Sequence, residues 1–338
     1  MNVNEAIRDA MLLHAVYLSQ VSTGEVVSLL AILEMVDKEI RVALRGSSDL
    51  SKMTTIELAA LLNDIKQMNA EAQWEITKDL KESAVELSRV EAAFAKTTME
   101  KYTGLALKPG EGPAGTFAKA LGAPFDGVVV DDALQAIEIS RMRAIEQAVR
   151  RAFIEGNTLD DLVRDLYGTK QNGHIGMMSN VSRRNVEAVA RTVYSHVANQ
   201  SRDAIYRANA DVLKGVQWVA TLDHRTCIEC GVMDGQVFGV EERHPFPPRH
   251  YSCRCVMVPV VKPWEEFGIE DIPEGTRASM NGQVPESWTF SDWLARQSAP
   301  VQREVLGATR FQMYQSGTAM EQFLVDGRIM TLKELAAK

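Results

Sequence analysis

The segment that decides the reading is 221–260, TLDHRTCIECGVMDGQVFGVEERHPFPPRHYSCRCVMVPV. It holds all four cysteines of the 338-residue chain: Cys227, Cys230, Cys253 and Cys255. Cys227 and Cys230 form C-x2-C, a spacing that lets two thiolates of one tight turn grip a single ion. Cys253 and Cys255 form C-x-C and supply a second pair. In a reducing compartment such a cluster reads as metal binding before it reads as disulfides. Structural zinc takes four sulfurs, or three sulfurs and an imidazole. His250 lies close enough in sequence to replace one cysteine, so both ligand sets stay open, with His224 and His244 as weaker candidates. Reduced thiols packed in a small core and late-formed disulfides are the rival readings. Four protein ligands leave no open coordination position, so such a site staples strands together and does not activate water.

Working outward, short strand-like runs flank the cysteines: 216–220 (VQWVA), 236–238 (QVF) and 256–258 (VMV). Asp234-Gly235 is a turn pair between two of them, and Pro247-Pro248 stiffens the approach to the second cysteine pair. Asp223, Arg225 and Arg254 sit beside the cysteines. Their expected work is to pair with one another or hold carbonyls around the metal turns. Adjacent Asp223 and His224 make a poor acid–base pair, because neighbours at a strand end point apart.

The rest of the chain is helical in pattern. Thr54 with Glu57 has the spacing of a capping box. Leu80, Ala84, Leu87, Val90 and Phe94 recur at helical spacing behind it. In 108–127, KPGEGPAGTFAKALGAPFDG, the glycines and prolines predict a linker or extended arm. Helix resumes over 131–155 with Leu134, Ile137, Met142, Ile145 and Val149 as its apolar positions. Thr158 caps a short helix, and 169–181 reads as a loop. A strong helix follows over 183–209 with Val186, Val189, Val193, Val197 and Ile205. An acidic stretch (Glu265, Glu266, Glu270, Asp271, Glu274) leads to short C-terminal helices, capped by Ser291 and by Thr331 with Glu334.

The expected fold is therefore mainly α with a small β-containing, cysteine-knit, zinc knuckle-like module, α+β overall. Its expected divisions are an N-terminal helical region (1–107), a linker (108–128), a helical part (129–215), the β/zinc module (216–262) and a C-terminal region (263–338).

A composition of 46% hydrophobic and 24% charged residues is that of ordinary globular protein. The net charge of −8 disfavours tight nucleic-acid binding, which draws its affinity from Lys and Arg neutralising phosphates. A local, weak DNA contact would fall to clusters such as Arg141, Arg143, Arg150, Arg151, Arg183 and Arg184, whose plainer reading is a solvated helix face. No secretory leader and no run of about 18 apolar residues is expected, which places synthesis in a cytoplasm. No H-x-E with P-C-x-x-C, H-E-x-x-H, P-loop or G-x-S-x-G occurs, so no catalytic residue is assigned.

Trp218, Asp223, Arg225-Thr226-Cys227, Cys230, Asp234-Gly235, Phe238, Pro247-Pro248, His250 and Cys253-Arg254-Cys255 stand in order. Together they resemble the Mu F-like head-morphogenesis family of tailed phages. The helical segments GNTLDDLVRDLY and VEAVARTVYSHVANQSRDAIY, with Ala190-Arg191-Thr192 and Asn199, are similar to the family's paired helices. Where members often carry an acid after the Arg-Thr pair, this chain has Val193. The resemblance spans roughly 130–338.

It implies a structural minor capsid protein, not an enzyme, associated with the portal and acting in head morphogenesis or DNA delivery. Portal, major capsid or scaffold proteins would be its partners. The virion, at the head interior or portal vertex and away from any membrane, would be its place. The rival function is a metal-dependent nuclease or other hydrolase acting on nucleic acid, with His224, His250 and Asp223 near the metal.

Overall fold

The computed structural model describes residues 3–46, 52–169, 176–262 and 276–337, the side chains of 179 and 181 excepted. The acidic stretch around Glu265, Glu266, Glu270, Asp271 and Glu274 lies outside them. The chain divides into two compact units, each discontinuous in sequence. One comprises 18–87 and 117–194; the other comprises 1–17, 88–116 and 195–338. Two long helices, α1 (Val3–Gly46) and α2 (Thr55–Thr103), supply segments to both units. So does α6 (Met177–Ala208).

The first unit is helical, with α3 (Pro113–Gly122), α4 (Val130–Glu155) and α5 (Leu159–Tyr167) joining parts of the long helices. Leu134, Ile137, Met142, Ile145 and Val149 of α4 are all buried, as are Val186, Val189 and Val193 of α6. Thr158 caps α5 in a full capping box with Asp161. Arg141 is buried too, and its guanidinium reaches Asp37 (2.8 Å), Asn69 (2.9 Å) and the Ser182 hydroxyl. That corrects its reading as a DNA contact: it is a core cation, unavailable to a phosphate.

Several further expectations need correction. The Gly/Pro-rich stretch is no plain extended arm, since α3 runs through it. Pro113 sits at the first position, where its missing N–H costs nothing, and TFAKAL behind it is helix-compatible. The loop expected at 169–181 gives way to α6 at Met177, six residues before the expected start. On α2 the buried line runs Leu80, Ala84, Leu87, Glu91, Ala95, leaving Val90 and Phe94 at its flank. Finally, α1 is long and apolar enough to cross a membrane by length and composition, with 28% of that stretch buried. Only Glu25 is charged between Ala10 and Leu33, and interspersed Ser, Thr and Gly keep each unbroken apolar run there short.

The second unit carries the β-structure. Strands β1 (Leu213–Val219), β2 (Val237–Phe238) and β3 (Val256–Val261) form an antiparallel sheet in the order β2-β1-β3. Trp218 pairs with Met257, and Val219 with Val256. Gly215 is needed here, because a Cβ would stand 2.3 Å from the Phe238 carbonyl oxygen. Trp218 is fully buried among Val216, Val258, Tyr206, Met11 and Met99. A short helix, α7 (Ile228–Met233), follows β1.

Beyond it, the hairpin β4 (Thr276–Ser279) and β5 (Gly282–Pro285) precedes α8 (Phe290–Ala295) and α9 (Ala299–Gln315). The chain ends with the small hairpin β6 (Leu324–Val325) and β7 (Arg328–Ile329), then α10 (Leu332–Ala336). Phe290, Trp293, Leu306 and Phe323 build a second core that takes in Leu222 and Ile228. Thr289, not Ser291, caps α8, accepting from Asp292 N–H while Asp292 accepts in return. Thr331 caps α10 as expected.

Candidate metal centre

Cys227 is the N-cap of α7, and its sulfur accepts the Cys230 N–H at 3.4 Å. The C-x2-C turn thus presents two sulfurs on one side because a helix starts there. The second group of donors comes from the chain entering β3. Its turn is closed by the Cys253 N–H donating to the His250 carbonyl (3.2 Å). Ser252 takes a left-handed φ of 59°, a conformation that non-glycine residues adopt at a cost and that clusters at functional sites.

His250 Nε2 stands 3.3 Å from Cys227 Sγ and 3.4 Å from Cys230 Sγ. Cys230 Sγ stands 3.7 Å from Cys253 Sγ. Two trios therefore share Cys230: Cys227, Cys230 and His250, and Cys230, Cys253 and Cys255. In each, all donor atoms lie within 4.8 Å of one another. Cys230, Cys253 and Cys255 are buried, Cys227 partly so, and no thiol is in a disulfide.

The electrostatics fit a cation. Hydrogen bonding from Cys230, helped by His250, pulls the Cys227 thiol down to about 5 against its burial. Cys253 is likewise held well below the usual thiol range by bonds from Cys230 and Cys255. Cys230 is pushed up by Cys227 and Cys253. His250 is raised to about 11, chiefly by Cys227 and Cys253. Sulfurs that ionise this readily beside an imidazole make a cluster that could hold a metal ion. The donor set suits zinc.

Around this cluster Arg254 grips Asp223 with two bonds, 2.5 and 2.6 Å. Burial alone would raise the Asp223 carboxyl; Arg254 and the Arg225 N–H outweigh it and hold it below the usual carboxylate range. Arg225 offers its N–H at 3.0 Å, but its exposed guanidinium stays 3.9 Å away. His224 faces Glu304 at 3.9 Å, and His244 stacks on Phe238; neither belongs to the two trios.

Sequence reasoning missed Arg277 and Glu229 as supports, and named Asn199 only within the family resemblance, without its role. Asn199 on α6 accepts the Met257 N–H (3.1 Å) and donates to the Cys255 carbonyl (3.4 Å), fixing the start of β3. Arg277 on β4 is buried and bonds both oxygens of Asp234, the Ala220 carbonyl and the Trp288 carbonyl. Glu229 on α7 accepts the Ile329 N–H at 2.8 Å, tying the last hairpin to the cysteine turn. Asp234 is accordingly more than a turn former. Its Oδ1 also accepts the Ala220 N–H at 2.8 Å.

Comparison with known proteins bears directly on this geometry. The sequence model of the "Phage Mu protein F like protein" family matches residues 143–258, from within α4 to β3 and across every donor of the cluster. The chain carries a Mu F-like domain. No curated protein and no solved structure matches the chain. Similarity to the Mu F-like family over these residues points to a part in phage head morphogenesis. The match covers about a third of the chain and begins later than the similarity read from residue 130.

Proposed function

We propose that this chain is a structural minor head protein of a tailed bacteriophage, with the Mu F-like domain as its assembly module. In this reading it sits in the virion, at the head interior or portal vertex, and contacts portal, major capsid or scaffold proteins. Its sulfur and imidazole cluster holds one structural zinc ion, with Asp223 and Arg254 bracing the turns. The observation that carries the proposal is the family match running across the whole cluster. Crowded, mostly buried protein donors suit an ion that is fully ligated. A hydrolase needs a position left open for water, and that is the rival reading.

The test is quantitative mass spectrometry of purified particles from the phage or prophage that encodes the chain, with chemical cross-linking before disruption. The chain should be recovered in low, fixed proportion to the major capsid protein and cross-linked to the portal. Particles that lack it, or that hold it only as a washable contaminant, would refute the structural role. Divalent-metal-dependent cleavage of DNA by the purified chain would favour the hydrolase.

A further inference from the structure

The cluster offers five donors, and a tetrahedral ion takes four. Resting on the structural-zinc reading above, we infer that the ligands are Cys227, Cys230, His250 and Cys253, and that Cys255 remains an unligated thiol. The four chosen donors come as two matched pairs, each from one tight turn with two residues between the donors. In the first, the Cys230 N–H closes back on Cys227 Sγ; in the second, the Cys253 N–H closes back on the His250 carbonyl.

Three of the six donor separations agree with a tetrahedron, and the set as a whole is wider because Cys253 falls outside the trio of Cys227, Cys230 and His250. Bonds of about 2.3 Å to sulfur and 2.0–2.1 Å to nitrogen give edges of roughly 3.8 Å between sulfurs and 3.6 Å between sulfur and nitrogen. The corresponding separations here are 3.7 Å for Cys230–Cys253, and 3.3 and 3.4 Å for His250 to Cys227 and Cys230. The imidazole is also oriented for the task. Its Nδ1 lies 2.9 Å from the Tyr251 carbonyl oxygen, which can only accept. Nδ1 therefore carries a proton, and Nε2, which faces the sulfurs, is the nitrogen left to ligate an ion, as in metal-bound histidines whose other nitrogen donates to a carbonyl.

Cys255 is placed differently. Like Cys253 it belongs to the trio built on Cys230 and not to that of Cys227 and His250; what sets it apart is that the Cys253 N–H closes a turn onto the His250 carbonyl, while Cys255 follows that turn at the entry to β3. Its backbone is fixed by Asn199, and its sulfur lies within 4.8 Å of the Cys230 and Cys253 sulfurs, close enough for its S–H to point at either. An S–H donated to a ligating sulfur spreads the charge of that thiolate, as hydrogen bonds to metal ligands do.

The test is zinc X-ray absorption on the full-length wild type, with zinc content measured on Cys255→Ser, Cys255→Ala and His250→Ala. We expect three sulfurs near 2.3 Å and one nitrogen near 2.0–2.1 Å. Both Cys255 variants should keep about one zinc per chain, while His250→Ala binds substantially less. Four sulfurs and no nitrogen in the wild type would overturn the assignment, whatever the variants do. So would loss of zinc from both Cys255 variants while His250→Ala keeps it. A wild type without zinc would overturn the underlying zinc reading and this assignment with it, and the metal content alone tells that outcome apart.

Discussion

Removing the Arg277 side chain should loosen the cysteine module without touching a cysteine. Arg277 is buried, and Asp234 beneath it is fully enclosed at its side chain. Two hydrogen bonds of 2.9 and 3.1 Å join them, and Arg277 also satisfies the Ala220 and Trp288 carbonyls. Arg277→Ala therefore strands a carboxylate in a dry site and leaves two carbonyls short of a partner. Breaking one side of a buried pair costs about 3–5 kcal/mol, a large part of the roughly 5–15 kcal/mol that holds a domain folded.

Urea unfolding read by tryptophan fluorescence should shift by that amount. Exchange of the Ala220 amide, which donates to Asp234, should accelerate. Arg277→Lys should recover only part of the loss, because an ammonium cannot reproduce the two-pronged grip. Combining Arg277→Met with Asp234→Asn should cost much less than the sum of the two single changes, since neither then leaves a bare buried charge. A loss under about 1 kcal/mol for Arg277→Ala, below what one stranded charge costs, would refute the claim that this pair locks the β4–β5 hairpin to the module.

Other outcomes follow from the same geometry. Asn199→Ala leaves the Met257 N–H and the Cys255 carbonyl unpaired and should cost about 1–3 kcal/mol, with faster exchange at the Met257 amide. Gly231→Ala would place a methyl 2.4 Å from the Phe290 ring. It should destabilise by about 1–3 kcal/mol, and Phe290→Leu should partly relieve it in a double variant. Glu91 is buried between His14 (2.7 Å) and Arg202 (2.5 Å). Burial raises its carboxyl, but His14 and Arg202 outweigh burial and hold it below its ordinary 4.5. A depressed acid contributes stability above its unfolded value and loses it as pH falls through the folded one. Unfolding measured from pH 6 downward should therefore steepen below about pH 4.5, and Glu91→Gln should flatten that slope.

Much of this architecture is legible from residue spacing. Helical periodicity placed α4 and most of α6, because their apolar positions face a core directly. The cysteine window announced the cluster, because sulfur pairs at short spacing have few other uses. What escaped is polar and long-range. Asp234 reads as a turn residue, yet its partner lies 43 positions away at Arg277; nothing in local spacing records such a bond. Arg141 reads as a solvated charge until its partner Asp37 closes over it, and nothing in local spacing pairs Glu91 with Arg202. Ser291 reads as the cap of α8, but Thr289 takes that place because the short carboxylate of Asp292, where a capping box usually has Glu or Gln, completes it. Whether His250 or Cys255 completes the inferred ligand set is likewise not written in spacing, since both lie near Cys253 in sequence.

The most direct test of the account is zinc content and thiol reactivity on the purified full-length chain, before and after chelation, alongside exchange at the β1–β3 amides. The account predicts about one zinc per chain, as a single tetrahedral site requires. Thiols should stay shielded until the chelator removes the ion, and the sheet should then lose protection. Four thiols that react freely from the start, in a chain without zinc and with the sheet fully protected, would contradict it.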